Sequence, residues 1–95
     1  MDFKEEYHLV LFITGASPNS VRAINNIKSI CEKYLKGNYV LEIIDVYQHP
    51  ELAKKEQIIA LPTLIKKRPA MERRLVGDMS ETEKVLRGLG LSYNN

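Results

Sequence analysis

The strongest constraint on this chain is a pattern spanning its first half: an apolar run, a helix start, an amphipathic helix, a glycine stop and a second apolar run. Tyr7 to Ile13 (YHLVLFI) is nearly all apolar or aromatic and β-prone. Such a run suits a central strand buried on both faces of a parallel or mixed sheet. Thr14 and Gly15 break it. Ser17 then precedes Pro18, joining an N-cap hydroxyl to a residue whose fixed φ suits the first helical position. Val21, Ile24, Ile27, Cys31, Tyr34 and Leu35 recur at helical spacing, so one face of the predicted helix is apolar. Gly37 suits a left-handed helix stop, and Tyr39 to Val46 (YVLEIIDV) forms a second strand. Strand, crossover helix and strand make a βαβ unit, whose two strands run parallel.

The second half is less decisive. His49-Pro50-Glu51 opens a short helix from Glu51 to about Ile58, with a charged middle (AKKEQ) that must face water. Leu61-Pro62-Thr63 leads into a third strand, Thr63 to Lys66. KKRPAME at 66–72 reads as a turn and Arg73 to Gly77 as a fourth strand, so these two strands form an antiparallel hairpin. Ser80 with Glu83 has the form of a capping box, followed by a helix with Val85, Leu86 and Leu89 on its apolar face. The order β-α-β-α-β-β-α, a parallel half followed by an antiparallel hairpin, is that of a thioredoxin-like α/β fold with a mixed sheet.

With 95 residues and 44% hydrophobic content, the chain supports one small domain, residues 1–95, with one core. A net charge of +2 is too small to argue for a nucleic-acid partner. No apolar run approaches the roughly 20 residues of a membrane span, and the start, MDFKEEY, lacks the basic and apolar regions of a signal peptide. The single cysteine cannot form an internal disulfide, which points to a reduced, cytoplasmic chain.

Ser17 and Ser20 occupy the strand-to-helix junction with the spacing of a redox cysteine pair. Disulfide exchange needs an attacking thiolate and a leaving sulfur, and serine supplies neither. A serine nucleophile needs a base, and neither His8 nor His49 is placed as one. Capping is the better account of Ser17. Cys31 lies on the apolar helix stripe, far from the helix start that would activate it, and reads as a core residue. Pro62, just before a strand, stands where thioredoxin-like folds carry a cis peptide. Lys66, Lys67, Arg68, Arg73 and Arg74 flank the hairpin turn: such a run is usually a solvated loop, and its functional reading is a docking patch for an acidic protein surface. No aromatic residue is interleaved to stack bases. Two separated histidines and one cysteine have no metal-ligand spacing, so neither metal nor cofactor is expected.

The segments TGASPNSVRA at 14–23, KGNYVLEIIDV at 36–46, PELA at 50–53, LPTL at 61–64, RRLVGDMS at 73–80 and EKVLRGLGL at 83–91 together resemble the KaiB family of clock proteins, in order and spacing. The resemblance implies a non-enzymatic regulator that binds the hexameric ATPase KaiC and favours its dephosphorylation. It further implies competition with a sensor histidine kinase, help in sequestering KaiA, and homo-oligomers in one state. The family is metamorphic: a ground-state tetramer has the order β-α-β-β-α-α-β, and a rare monomer with the thioredoxin-like order binds KaiC. Gly88 and Gly90, placed in the last helical stretch where each glycine costs about 1 kcal/mol against alanine, fit a second half that rearranges, with Ser17, Pro18 and Pro62 as structural markers. Arg22, Arg73, Arg74 and Asp78 match family positions and are the candidates for partner contact or assembly. The chain departs from the cyanobacterial pattern in lacking an acidic tail, in keeping only Pro69 of a proline-rich turn, in Gly90, and in Glu42, which puts KaiA-like docking in doubt. A stress-adaptation role in a non-photosynthetic bacterium is the corresponding expectation. Two rivals are an oxidoreductase-like protein of the oxidative-stress response and the sensor domain of a clock-type kinase.

Overall fold

A computed structural model describes residues 5–91. Four strands and three helices follow in the order β1 (Tyr7–Ile13), α1 (Pro18–Tyr34), β2 (Tyr39–Asp45), α2 (Pro50–Lys55), β3 (Thr63–Arg68), β4 (Arg73–Val76) and α3 (Thr82–Gly88). This is the thioredoxin-like order. The strands form one sheet in the order β2-β1-β3-β4. β1 pairs with β2 in parallel, from Tyr7 against Tyr39 to Ile13 against Asp45. β3 runs antiparallel to both β1 and β4. The βαβ unit and the hairpin are therefore both formed as the sequence predicts.

Period-2 alternation along β1 feeds two cores of unequal size. Tyr7, Leu9, Leu11 and Ile13 meet Ala23, Ile27, Ile30, Cys31 and Leu35 of the α1 segment, Leu64 of β3, and Val85, Leu86 and Leu89 of the α3 segment. Val10 and Phe12 point the other way. They meet Ile65, with Leu52 of α2 and Ile58 and Leu61 packed at the edge. Helix α2 has no fully buried residue of its own.

Several boundaries differ from the sequence reading: β3 runs on to Arg68 rather than ending at Lys66, and three others have a clear local cause. Helix α2 ends at Lys55 rather than near Ile58, because Gln57 takes a left-handed φ of 56° and the Ile58 amide reaches back to the Ala53 carbonyl at 2.9 Å. That is a Schellman stop built on a non-glycine residue. The capping box of Ser80 and Glu83 does not form. The Ser80 amide donates instead to Asp78 Oδ1 at 3.1 Å, and α3 starts one residue later from Glu81, with no side-chain cap. Gly90 lies outside the last helix, not within it. Its φ of 77° supplies the left-handed stop, with Gly90 N bonded to Arg87 O and Leu91 N to Leu86 O. Gly88 is helical, and a Cβ there would lie 2.6–2.9 Å from the Leu75 side chain of β4, which would have to shift to admit it.

Candidate functional site

The junction between β1 and α1 is a closed knot of hydroxyls. Ser17 caps α1 with a φ of −60° and ψ of 151°, accepting from the Ser20 amide at 3.2 Å, with Pro18 inside the first turn. Ser17 Oγ donates to Ser20 Oγ at 2.8 Å, and Ser20 Oγ accepts the Thr14 amide at 3.0 Å. Ser20 is fully buried. The two oxygens that stand at the spacing of a redox pair are thus engaged with each other and with the turn. Neither histidine serves them: His8 pairs with Glu6 at 3.4 Å and His49 with Glu51 at 3.6 Å. Cys31 is buried in the main core, and desolvation pushes its thiol up to about 12, with the Glu32 charge adding to it. A thiol so far from ionisation is a poor nucleophile at neutral pH. Among the described residues no group of three His, Cys, Asp or Glu side chains is placed to hold a metal.

At the same end of the sheet, Leu61-Pro62 is a cis peptide, and the Pro62 carbonyl accepts the Gly77 amide at 3.0 Å, just beyond β4. Two of the four candidate contact residues meet nearby. Arg22 Nε donates to Asp78 Oδ2 at 3.2 Å, and Asn26 Nδ2 donates to the Asp78 carbonyl at 2.9 Å. The Arg22 guanidinium also reaches Asn19 Oδ1. Hydrogen bonds from Ser80, supported by Arg22, hold the Asp78 carboxyl below its usual range. Arg22 and Asp78 are 56 positions apart and join α1 to the β4–α3 loop. Spacing alone gives no hint of this pair.

Arg73 and Arg74 are separated by strand alternation. Arg74 sits opposite Ile65 and points toward α2, where it lies 3.5 Å from Glu56 and 3.7 Å from Glu72. Lys67 reaches the same two carboxylates, at 2.8 and 3.6 Å. These four charges fasten the end of α2 to the hairpin. Arg73 sits opposite Lys66 on the other face and is exposed. Lys66 is only 4% exposed, and its ammonium donates to the carbonyls of Pro69 and Met71. The basic cluster is therefore not one solvated patch. Lys66 braces the turn from inside, and Lys67 and Arg74 hold α2.

A family model described as the KaiB domain matches residues 10–91. The chain belongs to the KaiB family. It is 47% identical to the circadian clock oscillator protein KaiB of Rippkaea orientalis over 93 residues, covering 98% of this chain and 89% of that one. It is 49% identical to the KaiB of Picosynechococcus over 90 residues, covering 95% and 86%. It is 47% identical to KaiB1 of Synechocystis over 92 residues, covering 97% and 88%. These KaiB relatives are named as clock oscillator proteins and none as an enzyme. Among solved structures, the N-terminal domain of Synechococcus elongatus SasA shares the fold with a TM-score of 0.74, at 19% identity, over 100% of this chain and 93% of that one. The Drosophila melanogaster thioredoxin Deadhead shares it with a TM-score of 0.72, at 18% identity, over 92% and 81%. This KaiB-family chain thus has a thioredoxin-like scaffold in which serines stand at the junction of β1 and α1. No helix among the described residues is long and apolar enough to cross a membrane.

Proposed function

We propose that this protein is a non-enzymatic clock-type regulator that binds a KaiC-like hexameric ATPase and modulates its phosphorylation state, in a circadian or a stress-adaptation system. The observation that carries this reading is a near full-length match to KaiB oscillator proteins at close to half identity. The closed Ser17–Ser20 knot supports it, since a scaffold whose redox position holds no thiol is suited to binding rather than to dithiol exchange. The reading takes residues 1–95 as one domain in the cytoplasm that reaches its partner through a surface including Arg22, Asp78 and the β3–β4 hairpin. The shared fold of the SasA N-terminal domain supports competition between the two proteins for one partner surface. A second arrangement of the half beyond Val46, with an associated homo-oligomer, belongs to the same proposal. The small α2-side core supports it. A KaiA-like partner is left out of the proposal, since Glu42 lies exposed on edge strand β2 at a position where the cyanobacterial pattern tends to lysine.

The test is to mix the protein with the KaiC-like ATPase of its own organism and follow the mixture on a sizing column. A co-eluting complex and a changed phosphorylation state of the ATPase are expected. Separate elution across a wide concentration range removes the proposal. Amide NMR spectra at several concentrations check the second arrangement, which a single invariant set of signals rules out.

A further inference from the structure

The hairpin tip carries cations without carboxylate partners among the described residues. Lys66 and Arg73 are directly opposed across β3 and β4. Like charges in that position repel and are destabilising. The Lys66 ammonium is buried against the Pro69 and Met71 carbonyls, and burial together with the Arg73 charge lowers its pKa. Beside them the β3 strand bulges: Leu9 pairs with Lys66 and His8 with Arg68, which leaves Lys67 as an extra residue and Arg68 exposed at the strand end. Bulges of this kind re-aim side chains at a sheet margin. Among the described residues, neither Lys66, Arg68 nor Arg73 makes an ion pair, whereas Lys67 and Arg74, their sequence neighbours, each make two. At the centre of the turn Met71 is 71% exposed, a flexible apolar side chain of the sort that adapts to a partner surface.

We infer that Arg68, Arg73 and Met71 form a docking tip for an acidic segment of the partner protein, with the buried Lys66 adding its charge from beneath. The assignment rests on the proposed function and names the surface used: Arg68 and Arg73 contact the partner, while Arg74 holds α2 in place. Carboxylates arriving at the tip relieve the repulsion between Lys66 and Arg73, so binding and hairpin stability are coupled. The exposed Met71 supplies the apolar contact that a purely electrostatic encounter lacks.

The experiment compares the wild-type chain, the double variant Arg68→Glu/Arg73→Glu and a control, Lys28→Glu/Lys84→Glu, with the same change in net charge at other exposed sites. Each is titrated against the KaiC-like ATPase of the same organism. The tip variant should bind at least about tenfold more weakly, as expected for reversed charges at an interface, and the control should stay near wild type. Wild-type affinity should fall as NaCl rises from about 50 to about 500 mM, where screening shortens the reach of charge. The tip variant should melt no lower than wild type, since a carboxylate in place of the Arg73 guanidinium would face Lys66, and this separates lost docking from lost folding. Equal binding by the tip variant and wild type overturns the tip assignment and leaves the functional reading standing. No binding by wild type overturns both. A tip-dependent complex with a mixed-sequence single-stranded oligonucleotide, alongside ATPase binding that ignores the tip, overturns the choice of a protein partner.

Discussion

The two faces of the sheet are held by different forces. On the α1/α3 face, fourteen buried residues from β1, both helical segments, the strand ends and the β4–α3 loop form one continuous core. On the α2 face the buried apolar cluster among the described residues is Val10, Phe12 and Ile65, and α2 is fastened at its C-terminal end by Glu56, Lys67, Glu72 and Arg74. Apolar burial contributes about 25 cal/mol per Å² and is insensitive to modest salt. Partly exposed ion pairs contribute about 0–1 kcal/mol each and are screened. One covering layer is therefore held mainly by apolar burial, while the other leans on screened charge pairs and a small apolar contact.

The comparison breaks most visibly at the large core. Ile27→Ala, at a fully buried position of α1, should cost about 2–5 kcal/mol, read as a lower midpoint in urea. Leu52→Ala, on partly buried α2, should cost well under half as much; equal losses would show that the faces are held alike. Gly88→Ala comes next. The new methyl meets Leu75 below 3.0 Å, and overpacking of this kind costs about 1–3 kcal/mol. A companion Leu75→Ala change should recover part of the loss by making room, and strict additivity in the double variant would argue against the contact. Glu56→Gln should leave the global melting point nearly unchanged while amide exchange in α2 quickens, by no more than the roughly 1 kcal/mol of exposed pairs. Adding salt to wild type should reproduce that local change. The smallest effect is expected at Gln57, whose left-handed backbone costs a non-glycine residue about 1–2 kcal/mol. Gln57→Gly should remove part of that strain, offset by glycine's extra freedom in the unfolded chain, and slow exchange at Ile58.

The first half of the chain could be read from its sequence because local and long-range signals agree there. Tyr7–Ile13 is both β-prone and central, and Ser17 with Pro18 caps a helix whose apolar face meets that strand. The thioredoxin-like order and the buried Cys31 follow from the same pattern. The misreadings fall beyond Val46, where one interaction displaced another. Ser80 and Glu83 have the spacing of a capping box, yet Asp78 captures the Ser80 amide first. Gln57 stops α2 in a conformation its side chain does not announce. The five cations read as one patch because charge is counted along the chain, whereas a strand sorts it by alternation. Alternation within Arg73–Val76 separates Arg74 from Arg73, and the pairing of Ile65 with Arg74 and of Lys66 with Arg73 sets which face each takes. The Arg22–Asp78 pair had no such signal: both residues came only from family resemblance, and the fold brought them within 3.2 Å.

The Tyr7 hydroxyl donates to the Leu89 carbonyl at 2.9 Å, across 82 positions of sequence. The first strand thus depends for part of its cover on a segment made 82 positions later. On the ribosome, β1 and α1 can form early, but Tyr7, Leu9 and Leu11 stay without the α3 segment that closes over them until residues 85–89 have left the exit tunnel. Through all of that interval the core stands open on one side. A chain that stops a few residues before Leu89 would leave its first strand uncovered on this side, with Tyr7, Leu9 and Leu11 facing water.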